Sequence, residues 1–143
     1  MKLLFKFLIF TLSISGCSNK FNKTPEENFI GIWKIEGRSM FNGIQIKIKK
    51  EDNELIGRIY KLNDNKLVQL FADSNDIWVS GIERKSNFEF ALTEKKIAKD
   101  LFSLYGLSTS QEFKVEFFNK NAFGLAIENS KPLNSKIIYR RIN

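Results

Sequence analysis

Apolar residues recur at every second position through much of this chain, and that spacing restricts it to half-buried strands. Ile44, Ile46 and Ile48 alternate with Gln45, Lys47 and Lys49. Phe88, Phe90 and Leu92 are separated by Glu89 and Ala91, and Phe113, Val115 and Phe117 by Lys114 and Glu116. Phe123, Leu125 and Ile127 alternate with Gly124 and Ala126. Each run has one apolar face and one polar or small face. Short Asn- and Asp-rich segments punctuate the runs: Glu51-Asp52-Asn53, Asn63-Asp64-Asn65, Asp73-Ser74-Asn75 and Asn119-Lys120-Asn121. Such side chains satisfy local backbone groups and tolerate left-handed conformations, which suits tight turns.

The pattern predicts strands near residues 29–37, 43–50, 55–62, 66–71, 77–83, 87–92, 112–118, 122–128 and 136–142. One segment departs from it. Between Thr93 and Gly106, Ile97, Leu101, Leu104 and Tyr105 fall at helical spacing, so a short amphipathic helix is expected there, capped by Thr93 and ended by Gly106. Eight or nine short antiparallel strands must hide their edges, and closure into a meander barrel does this most simply. The expected class is therefore all-β, an antiparallel barrel of about 8–9 strands with one short helix. An open β-sandwich is the alternative architecture.

The amino-terminal segment obeys other rules. Lys2 and Lys6 flank the start of an apolar run, Leu3 to Leu12, and Ile14-Ser15-Gly16 leads to Cys17, the only cysteine. The run is shorter than the roughly 20 residues a spanning helix needs, and the layout is that of a secretory signal. Its ending resembles the lipobox of bacterial lipoproteins. That resemblance implies cleavage before Cys17, a diacylglycerol on the Cys17 sulfur and acylation of the new amino terminus. Several acyl chains, at about 0.8 kcal/mol per buried CH₂, make an anchor that hardly dissociates. The organisation it implies is a signal peptide over 1–16, a lipidated tether over 17–28 and a barrel domain over 29–143. Ser18, where an Asp would imply retention at the inner membrane, implies the outer membrane of the cell envelope, facing the periplasm.

Composition narrows the chemistry. The formal charge of +7 includes Lys2 and Lys6, which would leave with the signal. In a cytosolic protein this balance would raise nucleic acid as a partner, but the export signal argues against it. The lysines are scattered, with one dense group, Lys95-Lys96-Lys99. With no histidine in the chain, Ser-His-Asp and Cys-His catalysis and His-built zinc sites are excluded. No cysteine remains after Cys17, so no internal disulfide can form. Asp73 and Asp76, and Glu51 and Asp52, are carboxylate pairs in expected turns, where acidic residues serve the backbone. Arg58, Glu83 and Arg84 are strand-borne charges expected to face solvent. No catalytic residue, metal site or cofactor is expected, apart from the covalent lipid on Cys17.

Gly31-Ile32-Trp33 on the first strand and Tyr139-Arg140-Arg141-Ile142 on the last resemble the lipocalin and calycin superfamily, in which an early Gly-x-Trp meets a late arginine. The resemblance spans about residues 29–142 and implies that Gly31, Trp33 and Arg141 close one end of the barrel. The stretch Ile44 to Tyr60 is also similar to the second and third strands of small bacterial calycin-like lipoproteins. The helix expected ahead of the last three strands departs from the lipocalin order and fits a looser calycin-like barrel.

The resemblance further implies a ligand site. Trp78, with Phe88, Phe90, Phe113, Phe117 and Phe123, either lines a pocket for a small apolar or amphipathic ligand or fills the barrel. Trp78 itself either faces a cavity or packs under the helix. Two functions follow as expectations for a non-catalytic protein held to the membrane by its lipid. One is a carrier or binding module for such a ligand. The other is an interaction or inhibitor protein that meets an envelope protein or glycan through its outer surface.

Overall fold

The computed structural model describes residues 23–143. Cys17, the expected signal and the first part of the expected tether lie outside the described residues. The strands are β1 (Gly31–Glu36), β2 (Gln45–Glu51), β3 (Glu54–Lys61), β4 (Ile77–Arg84), β5 (Glu89–Lys95), β6 (Ser110–Asn119), β7 (Ala122–Ala126) and β8 (Ile137–Arg141). Each pairs antiparallel with the next, and β8 pairs back onto β1, so the sheet is a closed meander barrel with no free edge. The sandwich alternative is thereby excluded. Two helices interrupt the meander: α1 (Lys66–Phe71) between β3 and β4, and α2 (Lys99–Leu104) between β5 and β6.

Period two sets the register. Ile46 and Ile48 of β2, Leu55 and Ile59 of β3, Phe90 and Leu92 of β5, and Phe113 and Val115 of β6 all point inward and are buried. The β2–β3 hairpin turns through Asp52 and Asn53, both at positive φ (49° and 66°), as a two-residue primed turn requires. All five residues of β7 are buried, because Pro132–Asn134 forms a 3-10 turn packed over its outer face. A side chain at Gly124 would collide with the Pro132 carbonyl, so this close approach requires glycine.

Three expectations are corrected. Lys66–Phe71 is a helix rather than a strand, which leaves eight strands instead of nine. The Asn65 side chain accepts the Val68 N–H at 3.1 Å and caps that helix, and only Val68 of its six residues is buried. The second correction shortens the helix expected over 93–106 to Lys99–Leu104. Thr93 is no cap: it pairs with Glu112, and Glu94 with Gln111, so β5 runs on to Lys95. The third concerns the tether, whose last residues are docked. The Thr24 N–H donates to the Asn87 carbonyl at 2.9 Å, Arg84 donates to the Thr24 carbonyl, and Glu26–Phe29 forms a 3-10 turn that drives Phe29 into the barrel.

Candidate functional site

The two ends of the barrel differ in chemistry. At one end Trp33 and Arg141 are cross-strand partners. The Arg141 guanidinium lies 4.2 Å from the centre of a Trp33 ring, a cation–π distance. It also donates to the Asn28, Ile30 and Lys120 carbonyls at 2.5, 2.8 and 3.2 Å, and desolvation lowers its pKa from the ordinary arginine value. The Trp33 indole N–H donates to the Phe29 carbonyl at 2.7 Å. A Cβ on Gly31 would collide with the Arg141 guanidinium, so the glycine makes room for the arginine. Gly31, Trp33 and Arg141 thus meet and seal this end.

A second arginine reinforces it. Arg84 was expected to face solvent. Instead it covers Phe90, 4.7 Å from the ring centre, and donates to the Ser86 and Asn87 carbonyls at 3.1 Å each. Nothing in a lone strand-end arginine signals this role, because its partners lie in the next turn and in the segment before β1. Arg58, also expected to face solvent, is half-buried and binds Glu51 through two parallel hydrogen bonds of 2.9 and 3.0 Å. Those bonds hold the Glu51 carboxyl below the usual carboxylate range. Asp76 accepts the Asp73 N–H at 2.9 Å as a turn element.

The aromatic residues expected to line a pocket mostly fill the bore. Phe29, inserted from outside the strands, stacks on Phe90, Phe117 and Phe123 at ring distances of 4.9, 4.6 and 5.2 Å. Phe123 also packs against Trp33 and Tyr139 at 4.7 and 4.9 Å. Phe88 is not in the interior. It lies in the β4–β5 turn before β5 begins and is 48% exposed.

The opposite end carries a chain of buried polar groups. A β-bulge makes Trp78 the extra residue of β4, since Gly57 pairs with Val79 and Arg58 with Ile77. Trp78 and Val79 are therefore both buried, although strict alternation places Val79 on the face away from Trp78. The Trp78 indole N–H donates to the Tyr139 hydroxyl at 2.9 Å, and the Tyr139 hydroxyl donates to Glu94. The other oxygen of Glu94 accepts from Arg38. Among the described residues Glu94 is the one buried charge. Burial first, then the Glu94 carboxylate, push the Tyr139 phenol well above its ordinary pKa.

The Arg38 guanidinium sits among the rings of Phe41, Phe113 and Trp78, with centres 5.1, 5.2 and 5.9 Å away. Above it opens a cavity of about 200 Å³ walled by Phe41, Trp78, Ile97 and Phe102. On the far side of Ile97, between α1 and α2, lies a second hollow of about 440 Å³ that shares Trp78 and Lys96. Trp78 borders both hollows, together with Lys96 and Ile97 of the segment leading into α2. Phe113, Phe90, Phe117 and Phe123 lie below, in the packed core.

Sequence reasoning missed Glu94 and Arg38. Glu94 was legible, as it continues the inward series Phe90, Leu92 by one more step of two. Arg38 follows Gly37 in a loop and gave no signal. No group of three or more His, Cys, Asp or Glu among the described residues could hold a metal ion. Comparison of the chain with known protein families, with curated proteins and with solved structures yields no match.

Proposed function

We propose that this chain is a lipid-anchored, non-catalytic protein of the bacterial envelope that binds a small amphipathic ligand at the open end of its barrel. The observation that carries the ligand reading is the difference between the two ends. One is sealed by Trp33, Arg141 and Phe29, and the other holds an aromatic-walled cavity over a hydrogen-bonded chain from Trp78 through Tyr139 and Glu94 to Arg38. A pocket with an apolar wall and a few convergent polar groups is a typical small-molecule site. The packed bore moves the ligand from the barrel interior to its mouth. The anchor reading rests on the lipobox-like ending at Cys17, the envelope address and outer-membrane preference on the same residues, and the calycin-like reading on Gly31, Trp33 and Arg141.

Titration with an environment-sensitive fatty-acid analogue tests the ligand reading. Saturable one-to-one binding accompanied by a tryptophan fluorescence change supports it, and absence of binding by the folded chain removes long-chain ligands and restricts the reading to bodies that fit the cavity of about 200 Å³. Metabolic labelling with a palmitate analogue tests the anchor: the label should enter the chain and be lost in Cys17→Ser.

A second reading is favoured by a specific surface. Leu70, Leu104 and Tyr105 are 76%, 80% and 73% exposed, and they stand on or beside the two helices that flank the larger hollow. An exposed apolar rim of this kind suits a protein partner in the envelope.

A further inference from the structure

We propose that the open-end cavity takes a small carboxylate with an aromatic or short aliphatic body, held by Arg38. This rests on the ligand reading above and specifies its chemistry.

The assignment starts from the donors of Arg38. A guanidinium has five N–H groups. Arg38 gives Nη1 to Glu94, and its Nε and Nη2 have no hydrogen-bond partner among the described residues. Neither is a buried orphan, since no buried side-chain nitrogen or oxygen among those residues lacks a partner. Both therefore reach accessible space, and Arg38 lines the cavity. Nε and Nη2 share one edge of the guanidinium, the edge that binds a carboxylate through two parallel hydrogen bonds. Glu94 and three aromatic rings hold the group in place, so little freedom is lost on binding.

Charge and volume agree. Arg38, Lys95 and Lys96 against Glu94 leave the lining two charges positive, which favours an anion and disfavours an amine. Glu94 does not repel the ligand at full strength, because its two oxygens are spent on Arg38 and Tyr139. A cavity of about 150 Å³ accommodates benzene. The roughly 200 Å³ here has room for a ring plus a carboxylate, with Phe41, Trp78 and Phe102 against the ring.

Benzoate, benzyl alcohol and benzylamine separate the elements of this proposal, with the full chain labelled with ¹⁵N. The two indole N–H signals report the two ends: Trp78 borders the cavity, while Trp33 is in the sealed end. Benzoate should move the Trp78 signal saturably and leave the Trp33 signal in place. Benzyl alcohol should bind about tenfold more weakly, the loss of one charge-assisted pair, and benzylamine should not bind. Arg38→Lys keeps a cation beside Glu94 but loses the two-pronged edge, and should weaken benzoate about tenfold while leaving benzyl alcohol unchanged. If that variant does not fold, the three ligands on the unaltered chain decide alone. Equal affinity for benzoate and benzyl alcohol overturns recognition by Arg38 and leaves the ligand reading standing. No shift of the Trp78 signal with any of the three overturns both.

Discussion

The Tyr139 hydroxyl accepts from Trp78 and donates to Glu94, so a single oxygen links a barrel wall to the buried charge. Tyr139→Phe leaves the Trp78 N–H without its acceptor and removes a donor from Glu94. Leaving buried polar groups unpaired costs about 1–3 kcal/mol each, so the variant should lose about 3 kcal/mol in urea unfolding. The same residue sets an alkaline limit. Burial and the Glu94 carboxylate raise the phenol pKa above its ordinary value of about 10, so its stabilising contribution is complete below pH 10. Above that pH the unfolded chain releases a proton that the folded chain keeps, and stability falls as pH rises towards the folded pKa. The difference in phenolate absorbance between the parent chain and Tyr139→Phe should therefore appear only as the barrel unfolds. At the other end, Gly31 has φ of +147° and faces the Arg141 guanidinium. Gly31→Ala should cost about 1–3 kcal/mol through backbone strain and displacement of Arg141, measured as a lower midpoint in the same unfolding assay. Gly31, Trp33 and Arg141 were legible through the resemblance that Gly31-Ile32-Trp33 and the last-strand arginine carry, which implied that the three meet. The links from Trp78 to Arg38 were not, because neither alternation nor that resemblance reports which polar side chains meet inside the barrel.

At the scale of elements, α1 and α2 have the same length but different support. Asn65 caps α1, and Val68 anchors it to the core. No residue of α2 is buried, it has no side-chain cap, and Ala98 at its start has φ of +55°. A segment with few buried contacts and exposed backbone opens locally at low free energy. The α2 amides should therefore exchange with deuterium at least about a hundredfold faster than those of Leu92 and Val115 in the flanking strands, as read by native-state exchange. Ala98→Gly should relieve the left-handed strain and raise stability by about 0.5 kcal/mol, the gain exceeding the entropy of the added glycine. These elements also mark where alternation is a poor guide. Leu67-Val68 and Leu70-Phe71 read as a strand because apolar residues in so short a run fit either period, and the cap at Asn65 decides between them. Strands such as β5 and β6 were legible in type because each takes three inward positions at steps of two, whereas strand ends shift where a turn or a bulge, as at Trp78, breaks the step.

In the whole molecule every short connection lies at the sealed end: the turns at Asp52–Asn53, at residues 85–88 and at Lys120–Asn121. The described amino-terminal residues and Asn143 meet there too, the Ile32 N–H donating to the Asn143 carbonyl at 3.2 Å. The long connections, with α1 and α2, lie at the opposite end beside the cavity. With the lipid on Cys17 that we propose, the seven residues up to Thr24 reach at most about 25 Å even when fully extended. A strand of eight residues, tilted as in a closed barrel, rises about 20 Å along the axis. Turning the cavity towards the bilayer would then demand an almost taut tether along the barrel wall, at a large cost in chain entropy. The sealed end should face the membrane and the cavity the aqueous space. Since Cys17 is the only cysteine, its lipidation leaves an introduced thiol as the one labelling position. A fluorophore at Lys120→Cys should be quenched by headgroup-labelled lipids several-fold more than one at Leu104→Cys, both positions being exposed. Equal quenching at the two positions would mean that the barrel lies on its side, and a ligand would then have to reach the cavity from the membrane surface rather than from water.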